Sequence, residues 1–204
     1  MKELLEKIKK QANLIPAEDF DQVFNGALAK MSKSFSKLEK EQYYDCDAAT
    51  HQIFLKGNPE ELIEELRDFS KKWPPSNWKE NKTLKINRLR LVKYPPNSYL
   101  EHEMYFYLIN KNGGENIKCL DMKQASYKLN ELDDFIIFDD NEIIINTHDN
   151  KGVLLGSYHL RDSSNLVSQL LNEFKLLFDK GQDFEKCYNF NEDIVKDLIE
   201  NGII

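Results

Sequence analysis

Glycine is scarce in this chain, and where it occurs it does not build a phosphate site. Eight glycines are spread over 204 residues. Their one adjacent pair, Gly113-Gly114, has neither a following Lys-Ser/Thr nor GxGxxG spacing, so the backbone cradle of a nucleotide loop is missing. No serine stands in a Gly-x-Ser-x-Gly frame, which removes the nucleophile elbow. Cysteine is scarcer: Cys46, Cys119 and Cys187 are odd in number, far apart in sequence and in no metal-ligand spacing. Such a set predicts a reducing compartment and buried or incidental thiols. The four histidines, His51, His102, His148 and His159, form no HxxxH pair and complete no zinc site. No window approaches the ~20 apolar residues of a membrane span. The start, Met1-Lys2-Glu3-Leu4-Leu5-Glu6-Lys7, lacks the apolar core of a signal peptide. These absences predict no catalytic set, no metal, no cofactor, no membrane partner and a cytoplasmic location. A secreted effector using a signal-free route is the alternative.

What is present is ordinary globular material. Hydrophobic residues make up 41% and charged residues 31%, too apolar for a disordered chain. The length suits one domain with an added helical arm, and a chain of this size buries enough surface to fold without a disulfide or metal staple. The net charge is −7, from 28 basic and 35 acidic residues. Nucleic acid binding draws on Lys and Arg, so this balance argues against nucleic acid as the sole partner and against an anionic membrane surface. It suits a basic protein partner.

Periodicity predicts an α+β fold: a mixed, largely antiparallel sheet with a C-terminal meander, packed by helices, with a helical N-terminal segment. Residues 1–32 read as helical, with Leu4, Leu5 and Ile8 and then Phe20, Val23, Phe24, Ala27, Leu28 and Met31 as buried stripes. Residues 33–45 read as a loop or short strand around Phe35, Leu38 and Tyr43-Tyr44. Asp47 is the expected cap of a helix closed by Gly57, and Asn58-Pro59 opens another that ends at Trp73-Pro74-Pro75. Thr83–Tyr94 reads as a strand buried on both faces or bulged. Residues 98–110 fit a strand or, with Asn97 or Ser98 as cap, a helix, which we favour. Ile117–Met122 is a strand. Three apolar runs, 135–138, 143–145 and 153–155, are separated by turn residues and form the meander. Asp162 or Ser163 is expected to cap a long helix ended by Gly181, and Asn191 a last short one.

Three groups carry possible chemistry. Arg88 and Arg90 project to one face of a strand beside Lys85 and Lys93, with Tyr94, Tyr99, Tyr105 and Tyr107 nearby. They suit a carboxylate, a phosphate or a base, or else pair with Glu101, Glu103 or Glu115 as plain structure. His102-Glu103 shares a helical face with Tyr99 and has the makings of a general base, or of a simple hydrogen-bonded pair. Asp133-Asp134 and Asp139-Asp140-Asn141-Glu142 bracket a strand; they suit a hard cation, or equally the ordinary chemistry of a hairpin turn.

Several fragments resemble an uncharacterised bacterial domain family that is often encoded beside helix-turn-helix regulators. They are, in order, Phe35-Ser36-Lys37-Leu38-Glu39 with Tyr44; Phe54-Leu55-Lys56-Gly57; Arg88-Leu89-Arg90-Leu91-Val92 with Pro96, Tyr99-Leu100 and Glu103; Gly114-Glu115-Asn116-Ile117; and Asp134-Phe135-Ile136-Ile137-Phe138-Asp139-Asp140, where Ile136 replaces the family's Trp. The element order is in turn similar to one half of a phospholipase D-like domain. The His-x-Lys motif of that chemistry is absent, since His148 and Lys151 are one residue too far apart. The expected division is an arm at 1–32, a core domain at 33–184 and a helix at 185–204. The resemblance implies a non-enzymatic regulatory or accessory module, with Arg88, Arg90, Tyr99, Glu103, Glu115 and Asp139 as the ligand- or partner-binding residues. A protein partner is expected, and an open sheet edge suits a homodimer. The alternatives are an acidic immunity protein or antitoxin covering a basic toxin, and a hydrolase or nuclease built on His102, Glu103 and the Asp139 cluster.

Overall fold

The computed structural model describes residues 1–123, 129–161 and 165–204. Among these, one eight-stranded sheet carries helices on both faces. The strand order is β1-β7-β6-β5-β2-β3-β4-β8, where β1 is Asn13–Pro16, β2 Ser34–Glu39, β3 Lys85–Val92, β4 Asn116–Asp121, β5 Asp134–Phe138, β6 Glu142–His148, β7 Leu154–Arg161 and β8 Gln182–Asp183. β2, β3 and β4 are parallel, and the other pairings are antiparallel, so the sheet is mixed as expected.

Strand alternation sorts the core. Leu38, Leu89, Leu91, Leu120, Phe135, Ile137, Ile143 and Ile145 point to one face. They meet α1 (Lys2–Lys9) through Leu5 and Ile8 and α7 (Leu166–Lys180) through Val167, Leu170 and Phe174. The opposite face carries two clusters. Ile117, Cys119 and Val92 lie under α4 (Pro59–Lys72), α6 (Ser98–Asn112) and α8 (Glu192–Glu200). Phe35, Ile86, Ile136, Phe138 and Ile144 lie with α2 (Phe20–Leu28) and Trp78 of α5 (Ser76–Glu80). Between these two apolar clusters sit Lys37, Glu39, Arg88 and Arg90.

Local chemistry accounts for most element ends. Asn58 accepts from Glu60 N ahead of Pro59, Asn97 from Leu100 N, and Asn191 from Asp193 N and Ile194 N. Gly57 closes α3 (Ala48–Lys56) at φ +68°, the left-handed geometry that glycine adopts without penalty.

The structure corrects two expectations and sharpens two others. Residues 1–32 are not helical throughout: Asn13–Pro16 pairs with β7 as an edge strand, because four residues between two short helices satisfy their backbone groups on the sheet. Of the two alternatives for residues 33–45 the short strand holds around Phe35 and Leu38, and this strand, β2, is central, paired on both sides. Asp47 makes no capping bond to α3; its carboxylate accepts from the Tyr99 hydroxyl instead. Gly181 ends α7 as expected, in an extended conformation at φ −70°. The expected caps Asp162 and Ser163 lie outside the described residues; α7 begins after Asn165. Residues 98–110 are helical.

Candidate functional site: a buried charge cluster on the parallel strands

In-register parallel pairing sets Lys37 beside Arg88 and Glu39 beside Arg90, all on the face toward α6. α6 lays a stripe over them. Tyr99, Glu103 and Tyr107 recur at i, i+4 and i+8, so they line one side of the helix. The result is a compact set of opposed charges in a low-dielectric seam.

Arg88 is fully engaged. Its Nε and Nη2 donate to the two oxygens of Glu115, each at 3.0 Å, and Nη1 donates to Glu39 at 2.9 and 3.0 Å. Its guanidinium also lies 5.2 Å over the Tyr107 ring, whose hydroxyl donates to Glu39 at 2.9 Å. Glu39 takes a further ion pair from Lys37 at 2.6 Å. Burial alone would raise the Glu39 carboxyl, but Arg88 and Lys37 overcome it and keep the group well below the usual carboxylate range.

Arg90 is engaged less completely. Nη1 donates to the Tyr44 hydroxyl at 3.2 Å. Nη2 lies 2.7 Å from Glu103 Oε2, close enough for an ion pair but off the hydrogen-bond line, so Nη2, Nε and Glu103 Oε2 have no aligned partner. Glu103 is buried, and desolvation pushes its carboxyl up to about 7 although Arg90 opposes this. Tyr44 donates on to Asp134 at 2.6 Å, and Lys40 N donates to the other Asp134 oxygen at 2.7 Å. Burial nevertheless leaves Asp134 above its ordinary value. His148 stands 3.6 Å from Asp134.

The cluster opens to solvent on one side. The side chain of Arg90 is 0% exposed, Glu103 11% and Lys37 26%. Cys46 and Asp47 stand near Lys37 and Glu103 at this opening; crowding and the Asp47 charge push the Cys46 thiol up to about 12. With Glu103 ionised, five carboxylates (Glu39, Asp47, Glu103, Glu115, Asp134) face three cations (Lys37, Arg88, Arg90). Burial, with the like charges of Glu39 and Asp47 nearby, is what keeps Glu103 protonated toward neutrality.

Of the residues singled out in sequence, Arg88, Arg90, Tyr99, Glu103 and Glu115 come together here. Asp139 does not. It stands at the far end of β5 at φ +55°, where its carboxylate accepts from the backbone N–H groups of Ser32, Lys33 and Ser34. Partial burial raises its carboxyl, but those donors more than offset that and leave it low. Asp139 also borders a cavity of about 480 Å³ with Lys30, Met31, Phe138, Glu142 and Arg161. Among the described residues no group of three or more His, Cys, Asp or Glu side chains is arranged to hold a metal ion. His102 sits beside Glu103 in sequence but turns away among His51, Phe54, Tyr99 and Phe106, with both ring nitrogens buried and unpartnered. Burial brings its imidazole down to about 4.

Sequence reasoning missed Lys37, Glu39, Tyr44, Asp47 and Asp134 as members. The signal was there in part: Lys37 and Glu39 alternate in the same two-residue step as Arg88 and Arg90, and Tyr107 continues the spacing of Tyr99 and Glu103.

Residues 19–188, most of the chain, match the model of a domain of unknown function, DUF6879. The chain belongs to that family. All members of the charge cluster fall inside the matched span, as does the string of fragments that resembled an uncharacterised family. No curated protein matches. Among solved structures, the chain is similar to TrmBL2, an archaeal chromatin protein with a novel mode of DNA binding, at 10% identity and a TM-score of 0.44. The likeness covers 83% of this chain and 52% of that one, so the chain spans about half the length of the archaeal protein. No helix of the described residues is long and apolar enough to cross a membrane.

Proposed function

We propose that this DUF6879 chain is a non-enzymatic binding module that receives a cationic group of a protein partner at the mouth formed by Glu103, Asp47 and Lys37. The observation that carries this reading is the surplus carboxylate. Glu103, at 11% exposure, is more open than Glu39, Glu115 and Asp134, lies off the hydrogen-bond line of Arg90, and adds to carboxylates that already outnumber the cations. A cationic side chain entering there would meet the Glu103 carboxylate in a low-dielectric seam, where a charge-assisted hydrogen bond is strong. The chain's net charge of −7 favours encounter with a basic partner. Arg88, Glu115 and Glu39 serve in this reading as the frame that fixes Arg90 and α6.

A regulatory complex and neutralisation of a basic toxin share this chemistry, and the partner's identity separates them. The test is recovery of the tagged full chain from its host, followed by native mass spectrometry. The wild type is expected to retain a stoichiometric protein partner in a salt-sensitive complex. Glu103→Gln is expected to lose it, while Lys196→Ala, on the exposed side of α8, keeps it. A complex that survives Glu103→Gln unchanged, or a bound small anion in place of a protein, would overturn the reading.

A further inference from the structure

A second cluster of reactive groups lies one strand over from the charge cluster, toward the β8 edge of the sheet. β4 pairs with β8 so that Cys119 stands opposite Gln182. A 3-10 turn, Phe184–Lys186, then folds the chain back, with Cys187 N donating to Phe184 O at 2.9 Å and its thiol to the Asp183 carbonyl at 3.4 Å. Both cysteines join the apolar cluster under α6. The turn thereby brings the Cys187 thiol against the Cys119 thiol, with Tyr94 and Gln182 beside it. The two differ in access: Cys119 is 1% exposed, and Cys187 is half-buried. They differ in acidity as well. The contact with Cys119, together with Tyr94 and Gln182, draws the Cys187 thiol down to about 7 against the effect of burial, while the same contact and burial raise Cys119. A reachable thiol that ionises near neutrality beside a protonated, buried one has the division of labour of an attacking and a resolving cysteine.

We propose that Cys187 and Cys119 form a reversible oxidation site whose co-substrate is a hydroperoxide. The Cys187 thiolate attacks the distal peroxide oxygen, the O–O bond breaks, and the leaving hydroxide or alkoxide takes a proton. Cys187 becomes a sulfenic acid, oxidised by two electrons, and the peroxide is reduced. The Cys119 sulfur then attacks the Cys187 sulfur, its thiol proton leaves with the hydroxyl as water, and a disulfide remains. Two external thiols reverse it by exchange. The bond ties β4 to the stretch that leads into α8, beside Arg90, which pairs with Cys119 across β3 and β4.

The test exposes the full chain to hydrogen peroxide at pH 7, alkylates the remaining thiols, and maps the digest by mass spectrometry. The expected product is a Cys119–Cys187 linked peptide that dithiothreitol reverses. Cys46, although exposed, should be alkylated intact and stay outside the linked peptide. Cys119→Ser, which keeps a donor beside Cys187, should accumulate a Cys187 sulfenic acid that dimedone traps, and Cys187→Ser should give neither product. Oxidation of Cys187 to sulfinic acid without the linked peptide would overturn the proposal. So would oxidation of Cys46 ahead of Cys187, or a disulfide that involves Cys46.

Discussion

Replacing Glu103 by Gln should change the shape of the stability–pH curve and not merely its height. In the unfolded chain the carboxyl releases its proton near 4.5, and in the folded protein near 7. Between those values the folded state binds more protons. The stability associated with the protonated form is therefore fully present below about pH 4.5 and is lost as pH rises through 7. At about 1.4 kcal/mol per pH unit this amounts to about 3 kcal/mol, undiminished by solvent because the group is buried. Glu103→Gln keeps the size and the neutral state but cannot ionise. Its stability relative to wild type should thus rise by about 3 kcal/mol between pH 4.5 and pH 8. Urea unfolding at stepped pH measures this, followed by the fluorescence of Trp78, which is 4% exposed and packs against Trp73 at 5.0 Å. Titration of Asp134 and His102 is common to both proteins and largely cancels in the difference. A difference that stays flat to within about 0.5 kcal/mol across that range would show that Arg90 neutralises Glu103 fully, and the surplus-charge argument would fall.

Arg88→Ala should cost about 3–5 kcal/mol in the same urea assay, because it strands Glu39 and Glu115 in the seam; a loss under 1 kcal/mol would mean that water replaces the guanidinium. His102→Phe should stabilise the protein by about 1–3 kcal/mol at pH 7, since two unpartnered nitrogens are removed from an aromatic setting. Its folded-state pKa is depressed to about 4, so the stability that neutral His102 provides above pH 6.5 is lost as pH falls through 4. The variant should escape that loss of roughly 3 kcal/mol, seen as a higher thermal midpoint at pH 4.5. Asp139→Ala should lower stability by about 1–3 kcal/mol by leaving three backbone donors at the start of β2 without their acceptor, with no effect on partner recovery; a loss of the partner would tie the far end of β5 to the mouth.

How much of this was legible in sequence varied with how local the cause was. The caps Asn58, Asn97 and Asn191 act within three residues, so their side-chain chemistry was visible in the order of residues alone. The meander was visible because short apolar runs were punctuated by turn residues. α6 was ambiguous for a physical reason: ten of its fifteen residues are buried, so it shows no polar stripe to fix its period. β1 and β2 were obscured by partnership at a distance. Asn13–Pro16 is extended only because β7 offers it an edge, and β2 takes its two neighbours from residues 85–90 and 135–138. The candidate site divided the same way. The arginine pair and the Tyr99–Glu103 face are local patterns, but their assembly with Glu39, Tyr44 and Asp134 depends on parallel register and on the return of β5 beside β2.

That assembly also separates residues that looked alike in sequence. Arg88 and Arg90 are two steps apart on one strand and face the same way, yet they are not equivalent. Arg88 lies between Glu39 and Glu115, with its Nε and both terminal nitrogens bonded, so a ligand could reach it only by breaking the frame. Arg90 has a tyrosine hydroxyl on one nitrogen, a misaligned carboxylate on the other, and Nε unpaired. A buried guanidinium left short of partners forgoes hydrogen bonds worth about 1.5–3 kcal/mol each, which a small movement of Glu103 would recover. A cationic group drawing Glu103 toward the mouth would instead take the carboxylate from Arg90. Partner binding and internal pairing therefore compete for one side chain, and Glu103→Gln, which weakens both, should make the fold less sensitive to pH while it abolishes recognition.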